Sequence, residues 1–173
     1  HRDLHSSPTR RSSDLMGMKP GPFKNEFGIQ TNHGVAKPSY RVFEALHQAG
    51  TVRIDVPSAD PNVEVLALTD DNEATIFVYN HDLDRRTVKE EEVGLTISGA
   101  SDVFKAVIDE THTAPVKAWE AMGSPAYLDR AQVAALNEAS VLRFEKLALL
   151  EDGRIDFTAG PESVTIFKCR VKK

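Results

Sequence analysis

The stretch from Asn62 to Asn80, NVEVLALTDDNEATIFVYN, constrains the fold more than any other part of the chain. Two runs rich in β-branched and aromatic residues flank the polar turn DDNE, which is a β-hairpin signal. The hairpin has neighbours of the same kind. TVRIDV precedes it, with Val52, Ile54 and Val56 on one side, and VGLTIS, VFKAVID, KLALL, RIDFT and VTIFKCRV follow, separated by turns such as EDG and GPES. Short strands with a turn every several residues predict a mainly β chain, an antiparallel β-sandwich over residues 51–173. A helical insertion interrupts it at about residues 114–139. There APVKAWEAMG reads as a short helix ending at Gly123, and LDRAQVAALNEAS as a second one. In the second, Asp129 and Gln132 have the spacing of a capping box, and Val133, Leu136 and Asn137 leave only a narrow apolar stripe.

Before Thr51 the pattern differs. FGIQTNHGVAKPSYRVFEALHQAG, from Phe27 to Gly50, predicts a strand at FGIQT, a turn at NHG, and a helix that Pro38 starts and Gly50 ends in a C′ role. Val42, Phe43, Leu46 and Ala49 share one face of that helix. Residues 16–50 thus read as a single strand–loop–helix unit after the irregular, Gly/Pro-rich approach MGMKPGPFKNE. The first fifteen residues, HRDLHSSPTRRSSDL, show no periodicity, and their tail resembles an in-frame translation of a sequencing adapter. Residues 1–15 are therefore read as a non-native leader and kept out of the fold. The natural amino terminus is then not visible and the compartment stays open, with the cytoplasm as the default expectation.

A net charge of −5 argues against a general binder of nucleic acid or acidic membranes, which needs a basic face. No apolar run approaches the roughly 20 residues of a membrane-spanning helix. The one cysteine, Cys169, excludes an intrachain disulfide, and its alternating surroundings predict a buried strand residue. Glycosidases work with two carboxylates facing each other across about 5–9 Å. Asn-Glu dipeptides stand at Asn25-Glu26, Asn72-Glu73 and Asn137-Glu138. The second falls in a hairpin turn, the third on a polar helix face, and the first precedes its strand, whereas barrel active-site residues follow theirs. Glu90-Glu91-Glu92 reads as a solvated connection. His33, His81 and His112, with Asp82, Asp109 and Glu110, lack the spacing of metal ligands. Trp119 reads as a packing anchor rather than a sugar platform. No serine elbow or phosphate-cradling loop is visible. No catalytic residue, metal or cofactor is therefore expected in the chain.

The opening unit carries a resemblance. Phe27-Gly28-Ile29, Gly34, Lys37-Pro38, Tyr40, Phe43, Leu46-His47 and Gly50 match the eighth βα unit of the catalytic barrel in glycoside hydrolase family 39, the β-xylosidase and α-L-iduronidase family. VEVLALTDDNEATIFVYNHD, IDETHTAPVKAWEAMGSPAY and SVTIFK are similar to the accessory sandwich of its xylosidase branch. DETHTAPVKAWEAMGSP is the most specific piece, and the resemblance runs from Pro22 to the end. It implies a retaining glycosidase acting on xyloside-type carbohydrate, with an acid/base Glu after the fourth barrel strand and a nucleophile after the seventh. Both would lie upstream of Phe27, so the chain is expected to be an inactive C-terminal part, with the last βα unit of an incomplete (β/α)8 barrel in front of its sandwich. Asn25-Glu26 stands where the family more often has glycines. The loop Thr31-Asn32-His33-Gly34 would border the sugar site in an intact enzyme, which makes Asn32 and His33 the candidate rim residues; shaping the turn is an equal reading of them. The βα unit would also expose apolar surface that a barrel covers. The alternative is a stand-alone, non-catalytic β-sandwich module for binding or interaction, with carbohydrate as the candidate ligand.

Overall fold

The computed structural model describes residues 21–23, 28–58, 60–82, 87–148 and 153–171. The leader at 1–15 and the Asn25-Glu26 pair lie outside the described residues. Among the described residues, eight strands and three helices follow one another as α1 (Pro38–His47), β1 (Val52–Ile54), β2 (Val63–Asp70), β3 (Glu73–Asn80), β4 (Glu91–Thr96), β5 (Ala100–Ile108), α2 (Pro115–Ala121), α3 (Arg130–Ala139), β6 (Glu145–Lys146), β7 (Arg154–Ala159) and β8 (Ser163–Val171). Six strands form one antiparallel sheet in the order β1-β2-β3-β8-β5-β6, and β4 pairs with β7 in a second.

The alternation of side chains along β8 builds both faces of the large sheet. Phe167, level with Ile76 of β3, points to the face covered by β4 and β7, where Leu95, Ile155, Phe157 and Ala159 close the core. The Phe157 and Phe167 rings meet edge to face, 5.0 Å between centroids. Ile166, level with Phe77, points to the other face, against Ala45 of α1 and Ile108 of β5. Both Ile166 and Phe167 are fully buried, so the large sheet is a middle layer. Asn80 ties the layers at one end: its amide nitrogen donates to the carbonyls of Lys89, Ala159 and Gly160 at 2.7, 3.0 and 3.2 Å.

The helix at 38–47 forms as its sequence requires, with Pro38 in the first turn, where the missing N–H costs nothing. Val42 and Leu46 pack towards the sheet, while Phe43 remains 59% exposed. Arg41 fixes the helix laterally, donating from Nε to the Ser140 carbonyl and from a terminal nitrogen to Ser140 Oγ, both at 2.9 Å.

Several local readings change. Where a strand is predicted over Phe27–Thr31, residues 28–31 bend, with Gly28 at φ +80°, and make an isolated bridge between Gln30 and Ala36. Among the described residues this segment pairs only with its own loop. Phe27 lies outside the described residues. Gly50 does not end α1 in the left-handed conformation. It is needed for close approach: a Cβ there would sit 2.1 Å from the Thr69 carbonyl carbon of β2. Of the strand read at KLALL, the described residues show a two-residue strand, Glu145–Lys146, that takes in only its first residue; Leu149 and Leu150 lie outside the described residues. Glu91 and Glu92 open β4 instead of lying in a connection.

Gly50→Ala is expected to destabilise the fold by about 3 kcal/mol, the upper end of what overpacking costs. A lower urea midpoint with an unchanged slope checks it.

Candidate functional site

Residues 31–36 form a tight loop held mostly by one side chain. Thr31 Oγ1 accepts from the backbone N–H groups of His33 at 3.3 Å and Val35 at 3.1 Å. Thr31 N donates to the Val35 carbonyl at 2.9 Å and Gly34 N to the Thr31 carbonyl at 3.0 Å, closing the turn. Gly34, at φ +75°, takes the left-handed conformation that strains residues with a Cβ and that glycine adopts freely. The loop is therefore rigid, and Asn32 at its tip is exposed. His33 is half-buried, and its Nε2 is out of contact with water and has no hydrogen-bond partner among the described residues. A buried polar atom in that state costs free energy until something satisfies it.

Behind the loop, fully buried Val35 seats in a third apolar cluster with Trp119 of α2 and Leu136 of α3. Trp119 is only 3% exposed, lies 5.6 Å from the Phe23 ring and donates from Nε1 to the Pro125 carbonyl at 2.9 Å. It is a packing anchor and not a sugar platform. Asn137 Oδ1 accepts from the Ala36 N–H at 3.4 Å, so the helical insertion holds the loop from below. The capping box read from Asp129 and Gln132 is present, with bonds of 2.8 and 3.0 Å.

The remaining candidates are dispersed. Glu73 opens β3, and Glu138 pairs with Arg143. His81 pairs with Glu64 at 3.8 Å. His112 Nδ1 lies 2.9 Å from Asp109 Oδ2, in the loop where Asp109 Oδ1 also accepts from the N–H groups of Thr111 and His112 at 2.7 and 2.6 Å. Among the described residues no group of three or more His, Cys, Asp or Glu is placed to hold a metal ion. Cys169 of β8 is buried beside β3, its thiol 3.7 Å from the Ala74 carbonyl and its pKa raised by that burial. Two interactions had no local signal in the sequence. Asn80 and Arg41 act on partners about 80 and 99 positions away.

Partial burial pulls the Asp109 carboxyl upward, but the hydrogen bonds from His112 and Thr111 outweigh it and hold its pKa below the usual carboxylate range. A depressed folded pKa means stability present above the unfolded value, about 3.9, and lost as pH falls through the folded one. Asp109→Asn should therefore flatten the acid limb of the stability–pH curve below about pH 4, measured by urea unfolding. Thr31→Val should cost about 1–2 kcal/mol for the two orphaned N–H groups, while Asn32→Ala stays within about 0.5 kcal/mol.

Comparison with known proteins gives these residues a family. The family model described as glycosyl hydrolases family 39 matches residues 13–155. A protein named Beta-xylosidase from Caldicellulosiruptor saccharolyticus is 34% identical over 137 residues, covering 76% of this chain and 28% of its own length. Two solved structures share the fold. A GH39 β-xylosidase from Caulobacter crescentus is 20% identical, with a TM-score of 0.66 over 88% of this chain and 32% of its own. A monomeric β-xylosidase from Caulobacter crescentus CB15 is 17% identical, with a TM-score of 0.67 over 90% of this chain and 35% of its own. The chain thus spans about a third of the length of these relatives. Matched over most of its residues by that model, the chain belongs to glycosyl hydrolase family 39.

Proposed function

We propose that the chain is the C-terminal part of a β-xylosidase-like retaining glycosidase. In this reading it supplies the accessory sandwich and the last loop and helix of the barrel. One observation carries the reading: a family match over residues 13–155 in a chain with about a third of its relatives' length. The two glutamates of the double-displacement chemistry then belong to the portion outside this chain. The substrate of the whole protein is a xyloside-type carbohydrate, as the name of the 34%-identical relative suggests.

The loop geometry supports a place for Asn32 and His33 beside that substrate. Thr31 and the Val35–Trp119–Leu136 cluster hold the loop rigid, which is what a site needs from the residues that position a sugar. His33 Nε2 lacks, among the described residues, a partner that a sugar hydroxyl or a barrel side chain would provide. The exposed Ile29 and Phe43, at 43% and 59%, offer apolar surface next to the loop and on α1 for a barrel to cover. A stand-alone sugar-binding module would instead need a row of aromatic rings. Among the described residues the exposed rings Phe43, Phe104 and Tyr127 lie on separate segments: α1, β5 and the α2–α3 connection.

Incubated with an aryl β-xyloside, the chain alone should release aglycone no faster than a blank; turnover well above it overturns the reading. In the full-length protein, His33→Ala should lower kcat/KM by about tenfold, the worth of one hydrogen bond to substrate. An unchanged value would leave His33 as a turn residue only.

A further inference from the structure

Strand β5 carries one residue too many for its ladder with β8. Ser101 pairs with Arg170 and Phe104 with Lys168, so three steps on β5 meet two on β8. The extra residue is taken up in a β-bulge, with Asp102 at φ +48°. Bulges re-aim side chains, and this one sets Asp102 beside Phe104 and Lys168 on the face of the sheet that α1 covers. Lys146, level with Phe104 on β6, donates from Nζ to Asp102 Oδ1 at 2.7 Å. That hydrogen bond and charge hold the Asp102 carboxyl below the usual carboxylate range. Just past the end of α1, Gln48 Oε1 accepts from Lys168 Nζ at 3.1 Å. Between Gln48 and the bulge lies a cavity of about 360 Å³, at the small end of ligand pockets.

The lining of this cavity is what a polyhydroxylated ring needs. Phe104, 36% exposed, offers an apolar ring. Thr75 of β3 is only 6% exposed, yet its hydroxyl makes no hydrogen bond among the described residues, and it lines the cavity. A polar group buried in that way costs free energy until a partner arrives. Lys168 and Arg170 supply donors, Asp102 and Glu73 supply acceptors, and the Gln48 amide has both. The two cations offset the two carboxylates, so nothing in the lining selects an ion.

We propose that this cavity binds one neutral sugar unit, with a C–H face of the sugar on the Phe104 ring and its hydroxyls on Thr75, Asp102 and Lys168. Membership of a glycosyl hydrolase family makes a sugar the polyol of choice. The proposal goes beyond the glycosidase reading, because its residues are separate from the rim loop and no catalytic group takes part. One ring in a small cavity holds a single sugar weakly, unlike the row of rings with which a binding module grips a polysaccharide.

Xylose is the probe, titrated into the chain and followed through backbone amide shifts, which report folding in the same spectra. The expected result is a set of saturable shifts centred on Thr75, Phe104 and Lys168, with a Kd on the order of millimolar. Thr75→Val should weaken binding by about three- to tenfold, the worth of one hydrogen bond, and leave the urea midpoint unchanged because the lost hydroxyl had no partner. Phe104→Leu should weaken it by about tenfold through loss of the ring face. If the chain alone does not fold, peptide-resolved amide exchange in the full-length protein follows the same segments. Their exchange should slow by about tenfold at a xylose concentration of about ten times Kd. Shifts or protection that are absent, or centred elsewhere, overturn the proposal, and so does full affinity in both variants. An equal response to glycerol overturns the assignment to a sugar, and tighter binding of glucuronate than of xylose overturns a neutral ligand.

Discussion

Ile166 and Phe167 are successive residues of β8 with no exposed surface, and every other layer is arranged around that fact. Side chains alternate across a strand, so two adjacent buried apolar residues demand cover on both faces of the sheet. On one face the cover is β4 and β7, joined to β8 through the Phe157–Phe167 edge contact. On the other it is α1, whose Ala45 is 2% exposed against Ile166, Phe77 and Ile108. Each large side chain in such a layer is worth about 3–5 kcal/mol against truncation to alanine, so neither cover can be lost cheaply. At the C-terminal end of α1, Lys168 of β8 donates to Gln48 Oε1 at 3.1 Å and stands 4.8 Å from the centroid of the Phe144 ring.

The same constraint places the candidate site. α1 can lie on the sheet only if the chain entering it turns sharply, and Thr31 makes that turn by accepting from two backbone N–H groups. The helical insertion then closes over the turn through Val35, Trp119 and Leu136, and Arg41 joins α1 to Ser140 just beyond α3. Asn32 and His33 are thus presented by a loop with support on two sides. The loop's hydrogen bonds serve its own turn and its hold on α3, and His33 Nε2 is its one buried side-chain polar atom without a partner among the described residues.

Much of this was legible in the sequence where the signal is local. The hairpin of β2 and β3 followed from its alternation around DDNE, and the start of α1 from Pro38. The α3 start followed from Asp129 and Gln132, and the anchoring role of Trp119 from its apolar neighbours. The misses are all matters of long range or of missing neighbours. An apolar run at 28–31 reads as a strand by composition, but a strand needs a partner, and Gly28 and the Gln30–Ala36 bridge fold it on itself. Gly50 read as a helix stop because nothing in the sequence shows that Thr69 passes within 2.2 Å of where its Cβ would be. Asn80 and Arg41 look like ordinary polar residues until their distant carbonyl partners are in view. The family was legible through DETHTAPVKAWEAMGSP, which the structure shows to be the β5–α2 connection and α2, held by Asp109 and Trp119.

The central claim is that α1 belongs to the body of the sandwich as the cover of its second face. Native-state amide exchange tests it most directly, comparing Ala45 and Leu46 of α1 with Ile166 and Phe167 of β8 in the chain alone. The account predicts that all four exchange only through global unfolding, with opening free energies that agree to within about 1 kcal/mol. Near-unprotected exchange in α1 beside a protected β8 would contradict it.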